Sequence, residues 1–140
     1  MIRQALYRLT VETRRGKGLT EITGEVARWV GAQTIGAGLL TLFCRHTSAS
    51  LLIQENADPD VRTDLEAYFE RVAPEGDDYV HDTEGPDDMP AHIRTALTGV
   101  HLSIPVEGGR MVLGTWQGIY LFEHRAAPHR REVVLHLIGE

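Results

Sequence analysis

Short apolar stretches recur along the chain, several of them alternating with polar residues, and they predict a fold dominated by strands. Alternation around Tyr7, Leu9 and Val11 is typical of a half-buried strand. The run at residues 39–44 is continuous and short, which predicts a buried strand. The strands predicted in the first half of the chain are residues 7–11, 19–22, 39–44 and 51–53.

Helical spacing interrupts this pattern in the first half of the chain. Thr23 is a candidate N-cap for a helix whose apolar positions include Val26 and Val30. Asp58-Pro59 predicts a second start, with Asp as the cap and Pro at the first helical position, and Pro74 ends that helix.

A third, shorter helix is predicted from about residue 90 to residue 98. Asp87 or Asp88 would cap it, Ile93 and Leu97 would point inward, and Gly99 would end it.

The last third of the chain is typical of an antiparallel sheet. Residues 107–109 form a predicted turn, and a basic loop at residues 125–131 separates the last two strands. The strands predicted here are residues 100–106, 110–113, 119–123 and 132–138. With two or three helices inserted, the pattern predicts a single α+β domain over residues 1–140, because the regular βα alternation of a parallel fold is missing.

Composition adds limits on function. Twenty acidic residues against 14 basic ones give a net charge of −6, which argues against a nucleic acid as partner. A single Cys excludes an internal disulfide framework, so we expect a reducing, cytoplasmic setting. The N-terminus leads into no apolar run of signal or membrane-span length, and we expect no membrane partner.

The acidic excess is confined to one predicted loop. Seven carboxylates lie between Glu75 and Asp88, including Asp77, and the remaining 13 acids and 14 bases nearly balance. A charge run of this kind is usually a solvated loop. His81 and His92 change that interpretation, because imidazole nitrogens beside carboxylates can bind a divalent cation.

A metal site is therefore one hypothesis for this region. Asp88 and His92 are four residues apart and would share a helix face, and His81 lies in the preceding loop with Asp82 and Glu84. Nitrogen and oxygen ligands without thiolates suit zinc, manganese or iron better than calcium. Zinc is the metal we expect, with manganese or magnesium as alternatives. The alternative is a set of solvent-exposed groups that bind nothing.

Two polar segments flank the predicted strand at residues 51–53. Cys44 and His46 follow a buried strand; we interpret Cys44 as a core residue and leave His46 open between a structural and a functional role. Glu55 and Asn56 precede the cap of the second helix. They are either a base and a substrate anchor or a turn stabilised by an Asn side chain.

A fourth polar segment lies at residues 114–125. Its Trp116, between two glycines, is either a core or interface residue or a stacking platform. Arg125, Arg130 and Arg131 are either phosphate ligands or exposed arginines without a specific role.

Together these segments resemble the YjbQ-like family, whose members are often labelled secondary thiamine-phosphate synthase. The resemblance runs from about residue 7 to residue 140. Its motifs are HTSAS at 46–50, ENADPD at 55–60, MPAHI at 89–93 and LGTWQGI at 113–119. One departure is the DDMP at residues 87–90, where many relatives have an Asn-containing, His-rich run, so that His92 matches the family pattern better than Asp88 does.

The resemblance implies a β-sandwich-like α+β fold, a homotrimer and a polar cleft between subunits that holds a phosphorylated small molecule. A divalent metal is expected on His81, His92 and Asp88, and catalytic roles are expected for His46, Glu55 and Asn56. The residues then expected to contact substrate are Thr47, Ser48, Thr115, Gln117 and Arg125.

The activity implied is low-level joining of a pyrimidine pyrophosphate to a thiazole phosphate with release of pyrophosphate. Two other functions are compatible with the same residues. One is metal-dependent hydrolysis of an unknown substrate, and the other is a trimer that binds a metabolite or metal without catalysis.

Overall fold

The structure is a computed structural model that describes residues 1–76 and 78–140; Asp77, one of the seven acids of the predicted loop, lies outside the described residues. The strands are β1 (Arg3–Glu12), β2 (Gly18–Glu21), β3 (Gly38–Cys44), β4 (Ala49–Glu55), β5 (His101–Glu107), β6 (Arg110–Met111), β7 (Gln117–Glu123) and β8 (Arg130–Gly139). The helices are α1 (Thr23–Ala32), α2 (Pro59–Val72) and α3 (Asp88–Thr98).

The strands form two antiparallel sheets. One has the order β1-β8-β3-β5-β6 and the other the order β2-β7-β4. Their inner faces contribute to one hydrophobic core, in which Leu40 and Leu135 come from the larger sheet and Leu51 and Leu121 from the smaller. The predicted α+β class with an antiparallel sandwich and inserted helices is confirmed.

The strand β3 differs from its prediction as a fully buried strand. Leu40 and Leu42 are buried, but Leu39 is 43% exposed and Phe43 is 47% exposed. A continuous apolar run is therefore divided between the core face and the outer face of the sheet, because side chains alternate along a strand.

Thr23 is not the N-cap that the sequence predicts for α1. Ile22 occupies that position without a side-chain hydrogen bond. The Thr23 hydroxyl instead accepts a hydrogen bond from the backbone N–H of Ile119 at 2.8 Å and contacts Glu21. The hydroxyl thus joins the start of α1 to β7.

The start of α2 agrees with the prediction. The Asp58 side chain caps it by accepting a hydrogen bond from the N–H of Asp60 at 2.9 Å, and Pro59 occupies the first helical position. Phe69 packs edge-to-face on Phe122 of β7, with ring centroids 5.3 Å apart, which attaches the helix to the smaller sheet.

The buried face of α3 is not the one that apolar spacing predicts. Of the two residues expected to point inward, Ile93 is half-buried and Leu97 is 59% exposed, whereas Asp88 and Arg94 are buried. Arg94 Nη2 donates to the carbonyl of Ala73 at 2.8 Å, so its burial is compensated by a hydrogen bond. Neither acid caps the helix: Asp87 stands at the N-cap without a side-chain cap bond, and Asp88 is the first helical residue.

The hairpin after β5 has a shorter second strand than predicted, Arg110–Met111 instead of residues 110–113. Gly108 and Gly109 both have positive φ, as its tight turn requires. Within residues 1–76 and 78–140, no helix combines the length and the apolarity needed to cross a membrane.

Candidate functional site

Histidine and carboxylate side chains converge at the first turn of α3. Asp88 and His92 share one face of the helix, and the loop before it brings in His81. The Asp88 Oδ2 atom lies 2.7 Å from Nε2 of His81 and 3.0 Å from Nε2 of His92. Glu84 adds an oxygen 3.2 Å from the same nitrogen of His81. We call His81, Glu84, Asp88 and His92 the α3 cluster.

Both ring nitrogens of His92 face hydrogen-bond acceptors. Its Nδ1 lies 2.9 Å from the carbonyl oxygen of Thr47 and must carry a proton to donate to it. Its Nε2 faces the Asp88 carboxylate, another acceptor. Nε2 is satisfied only by a second proton or by a metal ion in place of that proton.

Asp88 is oriented from the opposite side by Arg125. The side chain of Asp88 is 4% exposed, and its Oδ1 accepts from Arg125 Nη1 at 2.8 Å. Burial opposes ionisation of Asp88, but the hydrogen bond from His81 and the charge of Arg125 outweigh it and hold the pKa of the carboxyl below its ordinary value. The carboxylate is therefore charged at neutral pH.

Asp87 completes the support of Arg125. Its Oδ2 accepts from Arg125 Nε at 2.9 Å and from the N–H of Ala126 at 2.8 Å. Although burial acts the other way, these hydrogen bonds lower the pKa of Asp87 to about 2. Arg125 Nη2 donates to the carbonyl of Glu84 at 2.9 Å, so all three guanidinium nitrogens contact this loop and helix start.

His81 is the more accessible histidine of the α3 cluster. Its hydrogen bond to Asp88 is the main cause that raises its pKa, and the charge of Glu84 adds to it. The neighbouring carboxylates therefore favour positive charge on the His81 ring.

The donor set fits a divalent metal. Two imidazole nitrogens and a carboxylate are the ligands of many catalytic zinc sites, in which neighbouring ligand atoms are ~3.3 Å apart. The donor atoms of the α3 cluster all lie within 4.8 Å of one another, and the closest pairs, at 2.7 and 3.0 Å, differ from that spacing by a few tenths of an ångström. Thr47 and Arg125 would orient His92 and Asp88 as outer-shell partners do in metalloproteins.

A buried polar chain fixes the far end of α3. Thr98 Oγ1 lies 2.6 Å from Ser50 Oγ, which lies 2.8 Å from His124 Nε2. His124 is fully buried, and burial together with the charges of nearby basic residues lowers its pKa to about 3. Its Nδ1 has no partner among the residues the structure describes. The neutral imidazole therefore serves to dock α3 on the smaller sheet.

His46 lies near the α3 cluster but is held by β8. Its Nε2 accepts the backbone N–H of Glu132 at 2.8 Å. Burial and the charge of Arg131 lower its pKa, which keeps the ring neutral. With His92 and Thr47 it lines a mostly apolar groove of about 610 Å³.

The neighbours of His46 have different environments. Ser48 is buried, and its hydroxyl accepts from Arg131 Nη2 at 2.9 Å, whereas the Thr47 side chain is exposed. Cys44 is buried as expected, and burial raises the pKa of its thiol to about 11.

The remaining predicted residues lie at the other end of the smaller sheet. Ala49 opens β4 opposite Glu123, and Glu55 closes it opposite Gln117. The seven residues of β4 span about 20 Å. Glu55 and Gln117 therefore do not meet the α3 cluster within one chain.

At that end, the predicted side chains form local contacts. Asn56 Nδ2 donates to Glu21 at 3.0 Å, and a Glu55 oxygen accepts the N–H of Asp58 at 3.2 Å. Gln117 accepts the N–H of Gly114 at 2.8 Å. Thr115 is exposed, and so is Trp116 at 61%, which leaves an interface or a stacking platform open for the tryptophan.

Sequence reasoning missed the residues that hold α3 and its cluster in place. Asp87, the Thr47 carbonyl and the pair of Ser50 and His124 act through contacts between residues far apart in the chain. The segment Glu123-His124-Arg125 is the one local signal, since three consecutive charged or titratable residues end an apolar strand.

Comparison with known proteins relates the chain to one family. A sequence model of the family described as UPF0047 protein YjbQ-like matches residues 7–140. A UPF0047 protein of Synechocystis sp. is 53% identical over 133 residues, which cover 94% of this chain and 90% of the relative. The UPF0047 protein YjbQ of Salmonella typhimurium is 44% identical over 136 residues, with 96% and 99% of the two chains covered.

Solved structures agree with the fold. The crystal structure of a YbjQ-like protein of unknown function from Sulfolobus solfataricus P2 superposes with a TM-score of 0.93 at 23% identity, over 100% of both chains. A conserved hypothetical protein from Thermus thermophilus gives a TM-score of 0.78 at 39% identity, covering 92% of this chain and 97% of the other.

Proposed function

The chain belongs to the YjbQ-like UPF0047 family, and from this premise we propose that it is a metal-dependent enzyme acting on a phosphorylated small molecule. The observation that carries the proposal is the convergence of two imidazole nitrogens on one oxygen of Asp88. The reaction we favour joins a pyrimidine pyrophosphate to a thiazole phosphate, forming the carbon–nitrogen bond of thiamine phosphate and releasing pyrophosphate.

His81, Asp88 and His92 would hold the cation, with zinc the best match to their nitrogen and oxygen atoms. A bound divalent cation supplies the charge that stabilises a departing pyrophosphate. Arg125 keeps Asp88 ionised and aimed at the histidines, so we now propose it as a positioning residue instead of a phosphate ligand. The groove between His46 and His92 would receive the apolar body of the substrate.

We propose that a second subunit supplies Glu55 and Asn56. Within one chain the length of β4 separates them from the α3 cluster by about 20 Å. One cleft can contain residues from both ends of the smaller sheet only if two copies meet. The end of the sheet that carries Asn56 in one copy would then lie against the end near His92 in the other. A homotrimer with three such clefts is the assembly we propose.

The outer face of the larger sheet supports self-association. Leu6, Leu39, Phe43 and Ile138 are exposed on it. Leu39 pairs with Ile138 and Phe43 pairs with Val134 across adjacent strands, so apolar side chains lie side by side at two places on this face. No helix among the described residues packs on this face, and exposed apolar patches of this kind mark interaction sites.

The test of the metal proposal combines metal analysis with turnover. Purified wild-type protein and the His81→Ala and His92→Ala variants are analysed for zinc and manganese. His129→Ala is the control, because the His129 side chain hydrogen-bonds to the Ala127 carbonyl within its own loop. We expect the first two variants to lose the metal and the control to keep it. Thiamine phosphate formation is then measured with and without a chelator.

Two results would contradict the proposal. Equal metal content in His81→Ala, His92→Ala and wild type would exclude the site, and product formation that survives both the chelator and His92→Ala would exclude the mechanism. Release of phosphate from simple phosphate esters, without thiamine phosphate, would assign the same site to hydrolysis.

A further inference from the structure

A basic pocket of about 360 Å³ adjoins the apolar groove at His46 and Arg45, and His92 is not among its lining residues. Its lining residues are Thr10, Arg45, His46, Arg130, Arg131 and Glu132. Three of the six are arginines and one is a carboxylate. The pocket is separate from the α3 cluster.

The hydrogen bonds of His46 fix its tautomer. Nε2 accepts the backbone N–H of Glu132 at 2.8 Å, and a nitrogen that accepts cannot carry a proton. The neutral ring therefore has its proton on Nδ1, and this N–H points toward Arg131.

Arg131 presents a second donor to the same spot. Its side chain is 5% exposed, Nε donates to Glu123 at 2.8 Å, and Nη2 donates to Ser48 at 2.9 Å. Among residues 1–76 and 78–140, the polar neighbour of Nη1 is Nδ1 of His46 at 3.4 Å. Because a guanidinium only donates, two N–H groups face each other with no acceptor between them.

The charge around these donors is positive. Glu132 accepts from Arg45 at 2.7 Å and from Arg8 at 2.9 Å, so two arginines neutralise the one carboxylate of the pocket. Arg130 is 76% exposed and lies 3.8 Å from Glu12, which leaves it free to turn toward a ligand.

We propose that this pocket binds an oxyanion, a phosphate group, with one oxygen accepting from both His46 Nδ1 and Arg131 Nη1. Arg130 supplies further positive charge at the rim. A phosphate oxygen is an acceptor with several lone pairs, which is what two converging donors lack. Phosphate binding at this pocket needs no metal. The inference rests on the proposed function only in the identity of the molecule that carries the phosphate group.

The tautomer can be tested directly by NMR. Long-range ¹H–¹⁵N correlation of the His46 ring, in chelator-treated protein without phosphate, should show the proton on Nδ1. A proton on Nε2 would overturn the proposal.

Binding is tested by titrating the same protein with inorganic phosphate. We expect saturable shifts of the His46 and Arg131 signals. Arg130→Ala should weaken binding about tenfold, through loss of a charge-assisted contact. The matched control, Arg28→Ala, removes an exposed arginine on α1 and should change affinity by less than about twofold, since distant charges are screened. Absence of saturable binding, or equal weakening by both variants, would overturn the proposal.

Two further arms separate the source of the phosphate from the metal chemistry. If phenyl phosphate binds more tightly than inorganic phosphate, the bound phosphate group belongs to a substrate whose body lies in the groove beside His46. If the two affinities are equal, the pocket is a site for free phosphate. His92→Ala should retain phosphate binding even though it loses the metal. The anion site can therefore stand if the metal proposal fails.

Discussion

Arg125 and Asp88 form an ion pair on the side of the carboxylate that faces away from the histidines. Arg125 Nη1 contacts Oδ1 at 2.8 Å, while His81 and His92 approach Oδ2. One oxygen of Asp88 is thus committed to holding the side chain and the other is available to a cation. Arg125 should therefore affect the affinity for a metal ion that it does not itself contact, because it positions Asp88.

Replacing Arg125 by Gln should weaken zinc binding about tenfold to a hundredfold, the usual effect of losing an outer-shell partner. Competition with a chromophoric zinc chelator measures the affinity. Arg28→Gln, the same change at an exposed position of α1, is the control. Identical zinc affinities for wild type and Arg125→Gln would show that Arg125 does not position Asp88.

The buried imidazole of His124 should make stability depend on pH. Its pKa is about 3 in the folded protein and near 6.5 when unfolded. The unfolded state therefore binds the extra proton first, so the contribution of the neutral ring is complete above about pH 6.5. It is lost as pH falls toward 3, by up to ~1.4 kcal/mol per pH unit.

Urea unfolding at pH 7, 6 and 5, at one protein concentration, measures this slope. His124→Gln cannot titrate, and its free energy of unfolding should fall less steeply over the same range. Parallel pH dependences for the two proteins would remove His124 as the cause.

The fold could be predicted from sequence further than the site could. Local patterns located every strand and the capped start of α2, because periodicity and cap residues act over a few positions. The same local logic assigned the wrong face to α3. Asp88 and Arg94 are buried there because Arg125 and the Ala73 carbonyl, both distant in sequence, compensate them.

The site illustrates a second limit. The four-residue spacing of Asp88 and His92, together with His81 in the loop before the helix, predicts that the three side chains converge, as they do. It could not show that Glu55 and Asn56 lie at the opposite end of β4, since that depends on how strands are paired. Nor could composition distinguish Arg131, which is buried, from Arg130, which is exposed.

The buried ion pair of Glu123 and Arg131 should be costly to break. Glu123 is fully buried; burial opposes its ionisation, but hydrogen bonds from Arg131 and Thr13 lower its pKa. Glu123→Gln leaves the Arg131 charge without its carboxylate and should cost about 3–5 kcal/mol of unfolding free energy.

Denaturant unfolding tests this expectation. Glu75→Gln, which removes an exposed pair with Lys17, is the control and should cost less than about 1 kcal/mol. The double change Glu123→Leu with Arg131→Met should recover much of the loss. Equal costs at positions 123 and 75 would contradict the importance assigned to burial.

The proposed shared cleft predicts complementation between inactive subunits. His92→Ala and Asn56→Ala homotrimers should each be inactive in thiamine phosphate formation. Mixed trimers formed by refolding the two together should regain part of the activity, since some clefts then combine two intact halves.

Phe43→Glu, which charges the outer sheet face, should lower the mass measured by light scattering to that of a monomer.

The complementation experiment has two controls. Co-refolded His92→Ala and His81→Ala chains share a defect at the same end and should remain inactive. Recovery in that mixture, or a monomeric wild type, would exclude a cleft built from two subunits.

The polar triplet Glu123-His124-Arg125, which starts at the last residue of β7, also favours one alignment of that strand. Glu123, His124 and Arg125 each engage a different partner: Arg131, Ser50 and Asp88. A slip of β7 by one residue against β4 would separate all three from their partners at once and leave charges in the core. The residues that support the site therefore also stabilise the correct register of β7. A misaligned sheet would lose all three contacts, whether or not a ligand is bound.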